Sequence, residues 1–224
     1  SDYHQATHGG GHGDYRTIVF GPSSVQELAD LTYRAFEMSD KYLIPAIILG
    51  DGMLGQMMEP VEFKYEAPRK PPVRADALRG AKGRPSRFVR TFTSEPAELE
   101  ELNWSLFRRY QLLQKEEVLW ESYLTEDAKL VVTAFGIGAR IAKGAIKNVR
   151  AFGMKVGLFR PITLFPFPND QLSELAKKTS HFLDFELNMG QMIDDVKLSL
   201  GGTAEVSFYG RPGGVIPTAT ELLR

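Results

Sequence analysis

The chain has 224 residues, 27 basic side chains against 28 acidic ones, and no cysteine. So even a balance offers no field for a polyanion or an anionic membrane, and neither nucleic acid nor a membrane is an expected partner. Without cysteine the chain cannot build disulfides, thiolate zinc sites or cysteine-held iron–sulfur clusters, so any such redox centre must sit on another chain. No apolar run approaches the ~20 residues of a spanning helix, and with no secretory signal the cytoplasm is the expected compartment.

Residues 1–16 are polar and contain His4, His8 and His12, spaced by four. On one helix those imidazoles would share a face, as a metal site requires. Gly9-Gly10-Gly11 intervenes, and three consecutive glycines make such a helix costly. The preferred reading is a flexible glycine loop without metal. A strand is expected at Thr17–Phe20, and then a helix opened by Ser23 or Ser24, with Glu27 as capping-box partner. Leu28, Leu31, Thr32, Ala35 and Phe36 would form its buried face. The next strand, Pro45–Leu49, breaks into Gly50-Asp51-Gly52, so strand, helix and strand imply a parallel pairing. Loops at the carboxyl ends of parallel strands converge on ligands and partners. Asp51, Gly52 and Gln56, with His12 on the glycine loop, are therefore the candidate cofactor- or subunit-facing residues. No residue is assigned a catalytic or metal-binding role.

Residues 61–95 lose periodicity among Pro68, Pro71, Pro72 and Pro85, which reads as a surface connector. A helix over Glu95–Tyr123 follows, with Leu99, Leu102, Leu106, Tyr110 and Leu113 at helical steps. From Lys129 strands and helices alternate: strands at Leu130–Phe135, Lys155–Phe159, His181–Glu186 and Ala204–Tyr209, and helices at Ala139–Ala151, Asp170–Thr179, Met189–Leu200 and Thr218–Arg224. Pro161–Pro168 reads as a rigid turn. Such alternation predicts a mostly parallel sheet between two helical layers.

Three further features leave alternatives open. Gly136-Ile137-Gly138 follows a strand and opens a helix, like half of a dinucleotide fingerprint. Ile141 is too large for the third small position, though, and no acid closes the second strand. Met53-Leu54-Gly55-Gln56-Met57 and Asn188-Met189-Gly190-Gln191-Met192 are alike, and each follows a strand ending in an acid. Their methionines suit either a contact surface or the core. Arg160-Pro161 and Arg211-Pro212 place arginines at strand ends, where they could meet an anion, a partner carboxylate or a surface acid. Asp184, Glu186, Asp194 and Asp195 are too dispersed to name an acid–base pair.

The runs Gly9–Arg16, Pro22–Glu27, Gly50–Pro60, Arg160–Pro168, Glu186–Met192 and Phe208–Pro212 occur in an order that resembles the α subunit of 2-oxoacid:ferredoxin oxidoreductases, of the 2-ketoisovalerate type. The resemblance implies an α/β fold. Residues 1–60 would end a pyrimidine-type thiamine-diphosphate domain, 61–128 form a connector, and 129–224 a transketolase C-terminal-like three-layer domain. It also implies thiamine diphosphate and Mg²⁺ shared with a β subunit, further γ and δ subunits, iron–sulfur clusters on partner chains, and ferredoxin and CoA as reaction partners. The carboxylate that activates the cofactor would lie upstream of Ser1, so the chain is expected to be a carboxyl-terminal portion that is inactive alone. The competing expectation is a non-catalytic α/β interaction module.

Overall fold

The computed structural model describes residues 1–65, 77–90 and 92–223. Pro68, Pro71 and Pro72 of the expected connector, and the last residue of the expected terminal helix, lie outside the described residues.

The chain opens with helix α1 (Tyr3–His8), strand β1 (Ile18–Phe20), helix α2 (Val25–Tyr42) and strand β2 (Ala46–Ile48). Helix α1 corrects the expected loop: it ends at Gly9, whose φ is +86°, so the glycine run follows the helix and does not interrupt it. Tyr3 and Ala6 hold it to the core. Helix α2 begins as its capping residues predict. The Ser24 hydroxyl oxygen accepts from the Glu27 N–H at 3.1 Å, and the Glu27 carboxylate reaches back to the Ser23 N–H at 2.8 Å. Its buried face is Leu31, Ala35, Met38 and Tyr42, while Phe36, expected inside, is 73% exposed.

Helix α3 (Pro96–Glu116) is shorter than expected, because Trp120–Tyr123 forms strand β3 instead of its last turns. Then come β4 (Leu130–Thr133), α4 (Gly136–Ala151), β5 (Val156–Pro161), β6 (Thr163–Phe165), α5 (Asn169–Ala176), β7 (His181–Glu186), α6 (Met192–Leu200) and β8 (Glu205–Gly210). Strand β6 occupies part of the expected rigid turn, and the last described element is a short 3₁₀ turn, Glu221–Leu223.

Two sheets result, ordered β2-β1-β6 and β3-β5-β4-β7-β8. In the second, β4, β5, β7 and β8 are parallel and β3 pairs antiparallel with β5. Neighbouring residues point to opposite faces, as the pleat requires. Val131, Phe159 and Phe182 pack with Leu172 of α5 and Met192, Val196 and Leu200 of α6, whereas Val132, Leu158 and Phe185 pack with Ala139, Ala142 and Ile146 of α4. This makes three layers, and each fully buried large side chain contributes about 1.5–3 kcal/mol of transfer free energy. Tyr3, Ala6 and Val19 join the α5–α6 side of this core, so the two sheets share packing. Strand β6 leaves the second sheet's territory to pair antiparallel with β1. Among the described residues no helix is long and apolar enough to cross a membrane.

Candidate functional site

Strand β4 leads through α4 to β5 on one side, while β7 lies on its other side. The carboxyl ends of β4 and β7 therefore bound the crevice where open α/β sheets bind ligands. A cleft of about 730 Å³ opens there. Phe135 and Gly136 line it after β4, Leu187 and Asn188 after β7, and the segment Leu49–Met53 with Gln56 closes it from β2. Gly213 to Ile216 form another edge. Gly210 keeps the end of β8 tight: a Cβ there would lie 2.5 Å from the Asn188 carbonyl oxygen.

Asp51 sits at the root of the cleft with both carboxylate oxygens engaged. Oδ1 accepts from the Leu54 N–H at 2.8 Å, and Oδ2 accepts from the Ile137 N–H at 2.9 Å. The second contact places a negative charge on the positive end of α4. Gly136 makes the approach possible, with φ at +59° and a would-be Cβ only 3.1 Å from Asp51 Oδ2. A nucleotide phosphate would need this same helix terminus, so the Gly136-x-Gly138 turn serves Asp51.

At the end of β7, Glu186 is buried and holds four donors: Asn188 Nδ2 and the backbone N–H groups of Gln191, Met192 and Ile193, at 2.8–3.1 Å. It is the amino-terminal cap of α6. Two residues earlier on the same face, Asp184 is fully buried. One of its oxygens accepts from the Thr133 hydroxyl at 2.6 Å, and the other has no hydrogen-bond partner among the described residues. Burial, reinforced by the Glu186 charge, pushes the Asp184 carboxyl well above the usual range.

Helix α1 rests on the same end of α6. The Tyr3 hydroxyl donates to Asp195 Oδ2 at 2.5 Å, and burial with this acidic neighbour holds the phenol well above its ordinary pKa. Burial also raises the Asp195 carboxyl, against the pull of Tyr3 and of His8, whose Nε2 lies 3.5 Å from Asp195 Oδ1. His4 Nε2 is 3.3 Å from Asp194 Oδ2 and 3.0 Å from the Gln191 carbonyl oxygen. Among the described residues no group of three or more histidines, aspartates and glutamates could hold a metal ion.

A second cleft, of about 690 Å³, lies on the other side of α4. Arg160 is its buried member: Nη1 donates to Glu27 Oε1 at 3.0 Å and to Glu121 Oε2 at 3.1 Å, and Nη2 reaches Glu27 Oε2. Only 4% of its side chain is exposed, so the expected alternative of a surface ion pair does not hold.

Residues 1–115 match the family model described as pyruvate flavodoxin/ferredoxin oxidoreductase, thiamine diphosphate-binding, and residues 128–222 match pyruvate:ferredoxin oxidoreductase core domain II. The chain belongs to the pyruvate flavodoxin/ferredoxin oxidoreductase family. It is 44% identical, over all of its 224 residues and 63% of the relative, to ketoisovalerate oxidoreductase subunit VorB of Methanothermobacter marburgensis. It is 32% identical to 2-oxoglutarate synthase subunit KorA of Methanocaldococcus jannaschii, over 96% of this chain and 64% of that one. The chain thus spans less than two thirds of the length of these curated relatives. The fold is shared with 2-oxoglutarate:ferredoxin oxidoreductase from Magnetococcus marinus, at a TM-score of 0.72 and 20% identity, over 100% of this chain and 44% of that one.

Within this family member, Asp51, Gly52 and Gln56 come together on the cleft wall, and His12 does not: it is exposed on the glycine loop and lines no part of that cleft. The two alike segments diverge. Leu54 is buried while Met53 is exposed and Met57 half-buried; Met192 is buried while Met189 is exposed. The walls carry no lysine or arginine among the described residues, and Asp2, Asp51 and Glu186 give the cleft an acidic cast. This set does not fit the diphosphate–metal end of thiamine diphosphate. Sequence reasoning named Glu186 and Asp184 but set them aside as too dispersed to act together. Their signal was two acids alternating with Phe182 on one face of a buried strand, where a carboxylate must find donors or a proton.

Proposed function

We propose that the chain is part of a thiamine-diphosphate-dependent 2-oxoacid:ferredoxin oxidoreductase of the 2-ketoisovalerate type. Such an enzyme releases CO₂ from a branched-chain 2-oxoacid, transfers the acyl group to CoA and passes two electrons to ferredoxin. The observation that carries the reading is the 44% identity to a ketoisovalerate oxidoreductase subunit along the entire chain. Thiamine diphosphate supplies the carbanion-stabilising chemistry when bound. In this reading the diphosphate and Mg²⁺ are held by a β subunit, in keeping with a cleft whose walls carry no lysine or arginine among the described residues. The clusters that carry electrons sit on partner chains, since this one has no cysteine. Subunits of β, γ and δ type complete the assembly, which works in the cytoplasm. Gly52 and Gln56 face the cofactor or a neighbouring subunit, and Asp51 holds their loop in place. His12 is assigned to a subunit contact outside the cleft.

The chain by itself is expected to be inactive. It is to be assayed alone with 2-ketoisovalerate, thiamine diphosphate, Mg²⁺, CoA and a viologen dye, and the same assay is to be run on the intact enzyme reconstituted from its full-length subunits. Turnover by the isolated chain, or a reconstituted enzyme that ignores every 2-oxoacid, would overturn the reading.

A further inference from the structure

The loop that follows β2 is tied at both ends by carboxylates that each reach in two directions. Asp51 places one oxygen on Leu54 N–H, within its own loop, and the other on Ile137 N–H of α4. Glu59 repeats the arrangement: Oε2 accepts from Val25 N–H at the start of α2, at 3.1 Å, and Oε1 meets Arg140 of α4 at 2.7 Å. Ile137 and Arg140 are three residues apart, on adjoining positions of one ridge of α4. Arg140 and the Val25 N–H hold the Glu59 carboxyl below its usual range, as expected of an anion that is used. Leu54, only 1% exposed, is a third anchor between the two acids. The intervening Gly52, Met53, Gln56 and Met58 are exposed, so the loop is fixed from behind and open in front.

We propose that Asp51 is a positioning residue: its carboxylate registers the cleft-facing loop 52–56 against the amino-terminal turn of α4, and Glu59 secures the far end of the same loop. The chemistry demands a carboxylate. Both groups facing Asp51 are N–H donors, and only a side chain with two acceptor oxygens can serve them together. An asparagine offers one oxygen and turns its NH₂ toward the other donor, so one of the two ties must break. A glutamate keeps both acceptors but displaces the loop by about one methylene, a shift on the ångström scale that catalytic geometry registers. The kinetic consequence rests on the oxidoreductase reading; the structural one does not.

The test uses the intact enzyme with all its subunits, comparing wild type with Asp51→Asn, Asp51→Glu and Glu59→Gln. Hydrogen exchange is followed in peptides covering 52–57, 136–141 and, as a control, 191–196. Asp51→Asn is expected to accelerate exchange about tenfold in the first two peptides together and to leave the third unchanged. Glu59→Gln, which keeps an acceptor for Val25, is expected to loosen 136–141 by a smaller factor and remains informative should Asp51→Asn fail to assemble. With 2-ketoisovalerate as substrate, kcat is expected to fall about tenfold in Asp51→Asn with KM within about twofold, and Asp51→Glu to recover part of the loss. Acceleration confined to 52–57 would reduce Asp51 to a local cap and overturn the proposal. So would loosening of both peptides with kcat unchanged. A wild-type enzyme without 2-oxoacid turnover would defeat the functional reading alone, with the exchange pattern still deciding the clasp.

Discussion

Strand β7 ends in Glu186, and β2 is followed three residues on by Asp51; each carboxylate precedes a Met-Gly-Gln-rich segment, and the two do opposite work. Glu186 spends all four of its acceptor positions on residues 188–193, its immediate sequence neighbours. Asp51 spends one oxygen locally and the other on α4, far along the chain. The glutamines differ in the same sense. Gln191 is consumed in tethering α1: its Oε1 accepts from the His4 N–H at 2.9 Å and its Nε2 donates to the Ser1 carbonyl at 2.6 Å. Gln56 is exposed on the cleft wall. Similar residue strings thus acquire different duties from what folds against them, and the buried copy is the structural one.

The sharpest way to break that contrast is Glu186→Gln. An amide cannot satisfy four donors with one oxygen, so buried N–H groups at the start of α6 lose their partner. A loss of about 3 kcal/mol is expected, to be read from denaturant unfolding as a lower midpoint with unchanged slope. A loss under 1 kcal/mol would mean that water or Asp184 replaces the cap.

Next is the neighbouring acid. Burial raises the Asp184 carboxyl, so its folded pKa lies above its unfolded one. The sign follows: its contribution is fully present below the unfolded carboxyl value, about 3.9, and is lost as pH rises through the folded value. Glu59 and Asp127, lowered by Arg140 and Arg150, run the other way and lose their contribution as pH falls. Asp184→Asn preserves the acceptor for Thr133 and removes the titration. It is expected to raise stability by about 1 kcal/mol at pH 8 and to change little at pH 4. Melting curves across that range decide; equal effects at both ends would show that folding does not raise the Asp184 carboxyl.

The smallest expected effect separates the two glutamines. Gln191→Ala is expected to cost about 1 kcal/mol and to expose residues 1–8 to proteolysis, whereas Gln56→Ala stays within about 0.5 kcal/mol while impairing the reconstituted enzyme. Equal stability losses would erase the distinction drawn above.

How much of this could be read from residues alone depended on the kind of signal. The alternation from residue 129 onward was legible because β4 and β5 carry apolar runs, and β7 and β8 mix apolar with polar residues, between stretches of helical spacing. The capping of α2 was legible because Ser24 and Glu27 act on each other within one turn. Strands β3 and β6 were not: each is four residues or fewer, and each is defined by a partner strand and not by its own pattern. Helix α1 was hidden by the glycines just after it. Asp51 was found from its place at a strand end, but its second oxygen's partner lies on an element that no local reading connects to it. His12 lines no part of the cleft that Asp51 borders, and sequence proximity to β1 does not say which way a glycine loop turns.

Strand β6 has a consequence for how the protein is made. The second sheet is built entirely from strands between Trp120 and Gly210, but the first borrows β6, so that Phe20 pairs with Thr163. Strands β1 and β2 are synthesised well before β6, so the β1 edge that takes Thr163–Phe165 stays without that partner until the later stretch has been made and delivered. An exposed edge of that kind invites pairing with other chains. Strand β1 is therefore at risk during synthesis until β6 arrives to cover it.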